Sequence, residues 1–369
     1  MNPTRAIEER RRTSTPVQVR NLTIGGGKNI VVQSMASTDT KDVETTVSQI
    51  HRMEAAGCEM VRVAVLNMDA AAKLAEIKSK INIPLVADIH FDHRLAIEAV
   101  RQGVDKLRLN PGNITKREKI EEVVHAAKDA GIPIRVGVNG GSLPKDLLIQ
   151  YEGATPEAMV AAGLREIEIL EDNGFHNIVI SLKTSNVPTM IESYRLMSNQ
   201  VPYPLHLGVT EAGTGDSGVI KSAIGIGTLL EAGIGDTLRV SLTGDPVREV
   251  RAAYTMLNAI GQRLRGVQYS SCPTCGRIGI NLEKIVEEVE ARLLDIAEPV
   301  KVSLIGCVVN GPGEALHSDI GLVGANGAGT IYVDGKPLKR VPEDELVDEL
   351  EKLVRERSII MSANNGTGQ

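Results

Sequence analysis

Short apolar runs rich in β-branched residues alternate with longer amphipathic stretches from about residue 30 to about residue 264. Apolar runs of this length predict strands, and the helical periodicity between them predicts helices. The chain therefore predicts eight successive strand–helix units. The expected strands span residues 29–35, 59–65, 83–90, 105–110, 132–139, 177–183, 203–211 and 236–242.

Eight such units favour an α/β fold of the (β/α)8 TIM-like barrel type. An open, doubly wound sheet produces the same alternation and is the alternative. Two helical stretches, 41–57 and 115–131, end on a glycine, as helix C-termini often do. An earlier run, 17–27, predicts a hairpin at the barrel floor.

The regular alternation of strands and helices ends near residue 264. The sequence therefore predicts a barrel domain over 1–264 and a smaller α+β domain over 265–369. The expected elements of the second domain are a helix at 281–297, strands at 300–309 and 329–335, and a last helix at 343–359. The final residues, 362–369, are small and polar, and we expect a disordered tail there.

Polar side chains cluster where the predicted barrel strands end, which is where the active sites of such barrels lie. They are Arg62, Asp88, His90, Arg108, Asn110, Arg135, Asn139, Lys183, His206, Glu211, Arg239 and Ser241. Residues two apart in a strand share a face, so Asp88 and His90 are expected to point the same way.

Four arginines occur in one local pattern, in which apolar residues that would face the helices flank each arginine. They are Arg62, Arg108, Arg135 and Arg239. The arginines are therefore expected to face inward, and with Lys183 they exceed the nearby carboxylates, chiefly Asp88 and Glu211. Unpaired buried charge is costly, and arginine suits phosphate oxygens. The pattern favours a phosphorylated small molecule with two phosphates over a purely structural salt-bridge network.

Lys183 also supports a rival interpretation. A lysine at the end of the sixth barrel strand could form a Schiff base with a carbonyl substrate, as in some aldolases. The surrounding arginines would lower the pKa of its amine.

Three of the four cysteines, Cys272, Cys275 and Cys307, form a C-x2-C-x31-C pattern. Three thiolates can bind a metal, either iron or zinc. Cys58 lies between the first helix and the second barrel strand, at the barrel floor, and is expected to be a buried apolar residue. Glu314, seven residues after Cys307, is the best-placed fourth ligand, although a solvated carboxylate or a residue of a short helix would look the same.

The composition narrows the classes of function. Net charge is −6, and the chain has no Trp and two Phe, which argues against nucleic-acid binding. The charged N-terminus lacks the apolar segment of a signal peptide, and no run is apolar enough to span a bilayer. We expect a cytoplasmic protein, where C-x2-C more often binds a metal or is redox-active than forms a structural disulfide.

Nine motifs together resemble the family of bacterial 4-hydroxy-3-methylbut-2-enyl diphosphate synthases, in its two-domain form. The resemblance covers about residue 13 to about residue 355. The motifs are QSMASTDT, PLVADIHFD, RLNPGNI, GVNGGSL, HLGVTEAG, SAIGIGTLL, GIGDTLRVSL, CPTCGR and IGCVVNGPGEA.

The resemblance implies a specific enzyme of the methylerythritol phosphate route to isoprenoids. Cys272, Cys275 and Cys307 would hold a [4Fe–4S] cluster, with Glu314 as a labile fourth ligand. The barrel would bind 2-C-methyl-D-erythritol 2,4-cyclodiphosphate, and Glu211 would give a proton to the departing hydroxyl. The implied substrate-binding residues are Arg62, Asp88, His90, Arg108, Asn110, Arg135, Asn139, Lys183, Arg239 and Ser241.

The same resemblance implies reductive ring opening with two electrons from reduced flavodoxin or ferredoxin. It also implies a homodimer whose active site is shared between chains. Two other hypotheses stay open from the residues. One is a Schiff-base lyase that uses Lys183 and carries a structural zinc. The other is an electron-carrying or metal-sensing module on an inactive barrel.

Overall fold

The computed structural model describes residues 10–109 and 117–366. The chain divides into two compact units, and the division falls between Arg263 and Leu264. Each unit has its own hydrophobic core.

The first unit is a barrel of parallel strands preceded by a hairpin. The hairpin consists of β1 (Val17–Val19) and β2 (Leu22–Ile24). The barrel strands are β3 (Val31–Met35), β4 (Met60–Val65), β5 (Leu85–Ile89), β6 (Lys106–Leu109), β7 (Ile134–Asn139), β8 (Ile178–Lys183), β9 (His206–Leu207) and β10 (Thr237–Leu238). Their order in the sheet is β8-β7-β6-β5-β4-β3-β10-β9. A parallel bridge between Ile180 and Leu205 joins the two ends, so the predicted TIM-like barrel is confirmed over the open sheet.

The first six barrel strands lie within their predicted ranges, but β9 and β10 are much shorter than expected. Each contributes only two residues to the ladder. Glu211 has a φ of 53°, a left-handed conformation that cannot continue a strand. The predicted side chains Glu211, Arg239 and Ser241 are therefore on loops rather than in strands.

Helices cover the outside of the barrel strands. They are α1 (Val43–Ala55), α2 (Met68–Ala71), α3 (Leu74–Ser79), α4 (His93–Arg101), α5 (Arg117–Asp129), α6 (Lys145–Gln150), α7 (Pro156–Asp172), α8 (Val187–Ser198), α9 (Gly215–Glu231) and α10 (Pro246–Ala259). Several begin at side-chain caps, for example Asp42, whose carboxylate accepts from the Thr45 N–H. Gly57 and Gly131 follow α1 and α5 with positive φ, as predicted from the sequence.

The hairpin closes the barrel floor, as the sequence predicts. Val17, Val19 and Ile24 pack into one buried cluster with residues near the N-terminal ends of four barrel strands. Those residues are Val31, Met60, Val86 and Val179. The hairpin thus forms an apolar cluster with the floor of the barrel.

The second unit is a mixed sheet with three helices. Its strands are β11 (Gln268–Ser271), β12 (Lys301–Ile305), β13 (Ile320–Ala325), β14 (Ala328–Val333) and β15 (Lys336–Pro342), hydrogen-bonded in that order. Its helices are α11 (Leu282–Arg292), α12 (Gly311–Ala315) and α13 (Leu346–Gly366). β11, β12 and β13 are parallel, and the two that follow are antiparallel.

The sequence missed three of these strands, β11, β13 and β15. It also predicted a disordered tail from residue 362, whereas α13 continues to Gly366. Exposed charged strands such as β15 lack the apolar alternation on which the prediction depends. Among the helices of residues 10–109 and 117–366, none has the length and apolar character needed to cross a membrane.

Candidate active site

Cationic side chains fill the interior of the barrel above its apolar floor. Arg62 on β4, Arg108 on β6, Arg135 on β7 and Lys183 on β8 are all buried, and Arg135 is 1% exposed. Burial lowers the pKa of Arg62 to about 10, although Asp88 opposes that shift. Their burial in an eight-stranded barrel requires that these side chains point inward, which is the orientation predicted from the sequence.

Asp88 on β5 is the carboxylate that gathers two of the arginines. Its Oδ1 accepts from Arg108 Nη1 at 2.9 Å, and its Oδ2 lies 3.6 Å from Arg62 Nε. His90 Nε2 is 3.4 Å from Asp88 Oδ1 and 2.8 Å from Arg108 Nη1. Burial by itself raises the pKa of Asp88, but the Arg62 charge, the His90 hydrogen bond and the Arg108 charge outweigh it and hold that pKa well below its usual range.

Arg239 is held by a carboxylate that the sequence analysis did not find. Glu249 on α10 is 2% exposed and accepts from Arg239 Nε at 3.1 Å and Arg239 Nη2 at 3.0 Å. It also accepts from Ser34 Oγ at 2.8 Å and from the Leu242 N–H at 3.0 Å. Glu249, rather than the exposed Glu211, is thus the second carboxylate of the buried network.

Lys183 lies beside His206, with its Nζ 3.2 Å from His206 Nε2. Burial and the charge of Arg135 lower the pKa of both groups well below their ordinary values. The Lys183 amine and the His206 ring share one hydrogen bond here. Gly208 leaves the space for Lys183, because a Cβ at position 208 would lie 2.6 Å from Lys183 Nζ.

The other predicted residues occupy different positions at the strand ends. Asn139 ends β7, and with its amide oxygen facing Arg108 Nη2 the distance is 3.2 Å. Ser241 is half-buried in the loop after β10, and Glu211 is exposed after β9. Asn110 lies outside the described residues. The contacts therefore unite Asp88, His90, Arg108 and Asn139 most closely.

Several cationic atoms in this network lack a hydrogen-bond partner within the described part of the chain. They are Lys106 Nζ, Arg108 Nε, Arg135 Nε and Arg135 Nη1. Buried donors are normally satisfied, so unpaired donors on basic side chains of the neighbouring strands β6 and β7 would suit a multiply charged anion.

The second unit brings two cysteines to one edge of its sheet. Cys272 follows β11 and Cys307 follows β12, and these strands are parallel neighbours with Ser271 opposite Leu304. The Gly306 N–H donates to Cys272 Sγ at 3.4 Å, which brings the residue before Cys307 to the Cys272 sulfur. Parallel strands end at the same edge, so the three-cysteine motif lies on adjacent loops.

The thiols at this edge suit thiolate ligands. Hydrogen bonds from the Arg277 backbone and side chain lower the pKa of the Cys275 thiol. All four cysteines are free thiols. Glu314 is exposed in α12, whose Gly311 packs against β13. In residues 10–109 and 117–366, no group of three or more His, Cys, Asp or Glu side chains stands close enough to hold a metal ion.

Cys58 is buried, as predicted, with its thiol donating to the Met60 carbonyl at 3.2 Å. Burial raises the pKa of Cys58 to about 12. It is therefore a poor thiolate ligand. Cys272, Cys275 and Cys307 carry the kind of thiol donors that an iron–sulfur or a zinc site would use.

Comparison with known families decides the membership of the chain. Residues 14–254 match the family model "GcpE TIM-barrel domain", and residues 268–356 match "GcpE protein C-terminal domain". The chain belongs to the GcpE family. Each match lies within one of the two units, and the TIM-barrel name of the first agrees with the fold of the first unit.

Curated GcpE relatives align over nearly the whole chain. A protein of Caldanaerobacter subterraneus subsp. tengcongensis is 57% identical over 350 residues, which are 94% of this chain and 99% of that protein. One of Clostridium perfringens is 56% identical over 344 residues, 93% of this chain and 99% of that protein. Both are named 4-hydroxy-3-methylbut-2-en-1-yl diphosphate synthase (flavodoxin).

Two buried charges of this GcpE barrel escaped the sequence analysis. Lys106 could have been found, because it precedes Arg108 by two residues and so shares its face. Glu249 offered no such signal, since it is one acidic residue among several on a helix. Only the packing of α10 against β3 shows that this carboxylate reaches into the barrel.

Proposed function

We propose that this chain catalyses the reductive ring opening and dehydration of 2-C-methyl-D-erythritol 2,4-cyclodiphosphate. The product is 4-hydroxy-3-methylbut-2-enyl diphosphate, and two electrons arrive through a [4Fe–4S] cluster. The names of the GcpE relatives support the reaction class, an oxidoreductase of isoprenoid synthesis. The structural observation that carries the proposal is the set of buried donors on Lys106, Arg108 and Arg135 that have no hydrogen-bond partner among the described residues.

The arginines and Lys183 hold the diphosphate. Asp88 already orients Arg62 and Arg108. Their remaining donors can therefore bind phosphate oxygens while the two side chains keep their positions. Arg135 contributes two unpartnered donor atoms. The further residues proposed to line the same site are His90, Asn110, Asn139, Arg239 and Ser241.

Glu211 is the proposed proton donor to the departing hydroxyl. It has a left-handed backbone and an exposed side chain in the loop after β9. A residue held in this conformation without being glycine is often part of a functional site. The carboxyl group would protonate the hydroxyl as it leaves as water.

Cys272, Cys275 and Cys307 are the proposed cluster ligands, and Glu314 is the proposed exchangeable fourth ligand. When bound, a [4Fe–4S] cluster supplies single electrons and an iron that accepts a substrate oxygen. The chain's own contribution is the Gly306 amide at Cys272 and the Arg277 hydrogen bonds at Cys275. Both groups stabilise negative charge on sulfur.

We further propose a reduced flavodoxin or ferredoxin as the electron donor, a cytoplasmic location and a homodimer with an active site shared between chains. The word flavodoxin in the names of the relatives supports the first of these. Full activity of a monomer at nanomolar concentration would refute the shared site.

The proposal is tested by purifying the protein without oxygen and measuring iron, sulfide and zinc per chain. We expect about four iron and four sulfide for a [4Fe–4S] cluster, bleaching with dithionite, and turnover of the cyclodiphosphate. Arg108→Ala should abolish substrate binding, whereas Glu211→Gln should bind substrate and not turn it over. Stoichiometric zinc without sulfide would overturn the reductase.

One observation favours a second function, a lyase that forms a Schiff base. Burial and the charge of Arg135 lower the pKa of Lys183, which favours the neutral amine that Schiff-base chemistry requires. Borohydride reduction of the protein with a carbonyl substrate, followed by mass spectrometry, distinguishes the two. A trapped adduct that Lys183→Met abolishes would support the lyase.

A further inference from the structure

Lys106 is a buried charge that the proposed reaction does not use. It is fully buried on β6, two residues before Arg108 and therefore on the same inward face. Its Nζ has no hydrogen-bond partner among the described residues. A lysine amine has three potential donors when charged, so this environment is costly for an ammonium.

The groups that face Lys106 are predominantly positive or neutral. Burial lowers the pKa of Lys106 well below its ordinary value, and Arg135 on β7 and Arg62 on β4 lower it further. Burial lowers the pKa of His206 on β9, and the neighbouring positive charges, including that of Lys106, lower it further. Asp105 precedes Lys106, but its carboxylate binds Lys78 Nζ at 2.8 Å and the Leu85 N–H at 2.9 Å.

The two carboxylates of the barrel interior are already engaged. Asp88 on β5 binds Arg108 and lies beside Arg62, and Glu249 binds Arg239. Asp236, another buried carboxylate of the described barrel residues, accepts from Ser14 Oγ and from the Leu205 N–H. None of these carboxylates is therefore a hydrogen-bond partner of Lys106. Arginine keeps its proton, so the lysines are the groups that can relieve the excess charge by releasing theirs.

We propose that Lys106 is a proton acceptor on the floor side of the buried arginines. Its amine is neutral in the free enzyme and becomes protonated when a diphosphate binds among those arginines. This inference rests on the proposed function. Lys106 lies on the floor side of Arg108, so it acts on the ligand through charge and does not touch it. It is a positioning residue for the anion rather than a catalytic one.

The charge balance of the reaction shows what a proton on Lys106 would do. The cyclic diphosphate is a dianion, because each phosphorus has one ionised oxygen. Reduction by two electrons with uptake of one proton breaks the C–O bond at one phosphate, releases one water and leaves a trianion. The proton consumed in this balance ends in the water. The bound diphosphate therefore gains one negative charge, which a protonated Lys106 offsets.

Lys183 is the other lysine of the barrel, but its position differs. It ends β8 opposite Asn139 at the strand ends, and its Nζ has His206 as a partner. It can contact the ligand directly and exchange protons through that contact. Lys106 has no hydrogen-bond partner within residues 10–109 and 117–366 and lies on the floor side of Arg108, so it acts on the ligand by its charge alone.

The test is calorimetric titration of the holoenzyme with the cyclodiphosphate, at one pH, in buffers of different ionisation enthalpy. The cyclic ligand does not titrate near neutral pH, so the slope reports protons taken up by the protein. Lys106→Met should take up fewer protons, by up to one, and bind roughly tenfold more weakly. Wild-type affinity should fall as pH rises, and the variant should show a flatter profile.

Lys128→Met is the matched control, because Lys128 is exposed on α5 outside the barrel. It should leave proton uptake and affinity unchanged. Equal proton uptake by wild type and Lys106→Met would overturn the role of Lys106 and leave the proposed function intact. Normal proton-linked binding without turnover by the reduced enzyme would instead overturn the proposed function. Absence of binding to the wild type would overturn both.

Discussion

At the scale of single residues, the barrel is a compromise between stability and anion binding. Lys106, Lys183 and His206 are all buried with lowered pKa values, so each costs folding free energy whenever the unfolded chain would be protonated. A structural role would pair these groups with carboxylates. Within the described part of the chain they have no carboxylate partner, as expected of groups that bind an anion.

Lys106→Met is expected to stabilise the protein in the absence of ligand. The pKa of Lys106 is lowered on folding. Between that folded value and the unfolded value of about 10.4, the unfolded chain binds one more proton. The wild-type free energy of unfolding should therefore rise with pH across this window, and the variant should lack that contribution. Urea unfolding at several pH values measures the difference, which a variant less stable than wild type at pH 7 would contradict.

Glu249→Gln is expected to have the opposite effect. Glu249 neutralises Arg239 and accepts from Ser34 and Leu242, so its loss leaves a buried guanidinium without a counter-charge. The free energy of unfolding should fall by roughly 3 kcal/mol.

The control for Glu249→Gln is Asp146→Asn. Asp146 pairs with Arg165 at 2.7 Å, but both side chains are exposed, so the change should be below about 1 kcal/mol. Equal losses in the two variants, measured by urea unfolding, would show that burial of the Glu249 pair is energetically unimportant.

At the scale of the elements, glycines on the barrel strands make room for the cations. Gly137 on β7 faces Arg108, because a Cβ there would lie 2.5 Å from Arg108 Nε. Gly208, just after β9, serves Lys183 in the same way. Long cationic side chains need neighbours without side chains, so these glycines are part of the site.

Gly137→Ala should therefore displace Arg108 from Asp88. Overpacking of this kind costs about 1–3 kcal/mol, so affinity for the cyclodiphosphate should fall by roughly tenfold or more. Gly227→Ala on α9 is the control, since a Cβ there meets no atom within 4 Å. It should add about 0.5–1 kcal/mol of stability, as alanine does inside a helix, and leave binding unchanged. Unchanged binding in Gly137→Ala would remove this glycine from the site.

At the scale of the whole molecule, two units with separate cores divide the chemistry. The barrel carries the buried basic side chains, and the second unit carries thiols at one sheet edge. Under the proposed function, neither unit is sufficient for turnover. Damage to one unit should leave the binding property of the other measurable.

Cys307→Ser tests this division. It should lose most of the iron and all turnover, because two thiolates and a carboxylate hold a cluster poorly. The barrel should still bind the cyclodiphosphate in calorimetry. Cys58→Ala, at a buried thiol of the barrel, should keep its full iron content. Loss of iron in Cys58→Ala would place Cys58 among the ligands, against its burial.

The sequence by itself determined the barrel, its inward-facing arginines and the three-cysteine motif. These follow from local rules, namely strand–helix alternation, the two-residue period of a strand and the spacing of cysteines. Such rules say which face a side chain takes and not what it meets there.

Only the tertiary structure decided the partners. Glu249 comes from a helix and reaches Arg239 and Ser34, 10 and 215 residues away, because the closed barrel packs α10 against β3. The tilt and packing of the strands likewise determine the shortness of β9 and β10 and the space at Gly137. They also leave Lys106 Nζ without a hydrogen-bond partner among the described residues. Charge balance in the barrel interior is a property of all eight strands at once, so no local pattern could have predicted which cations remain unpaired.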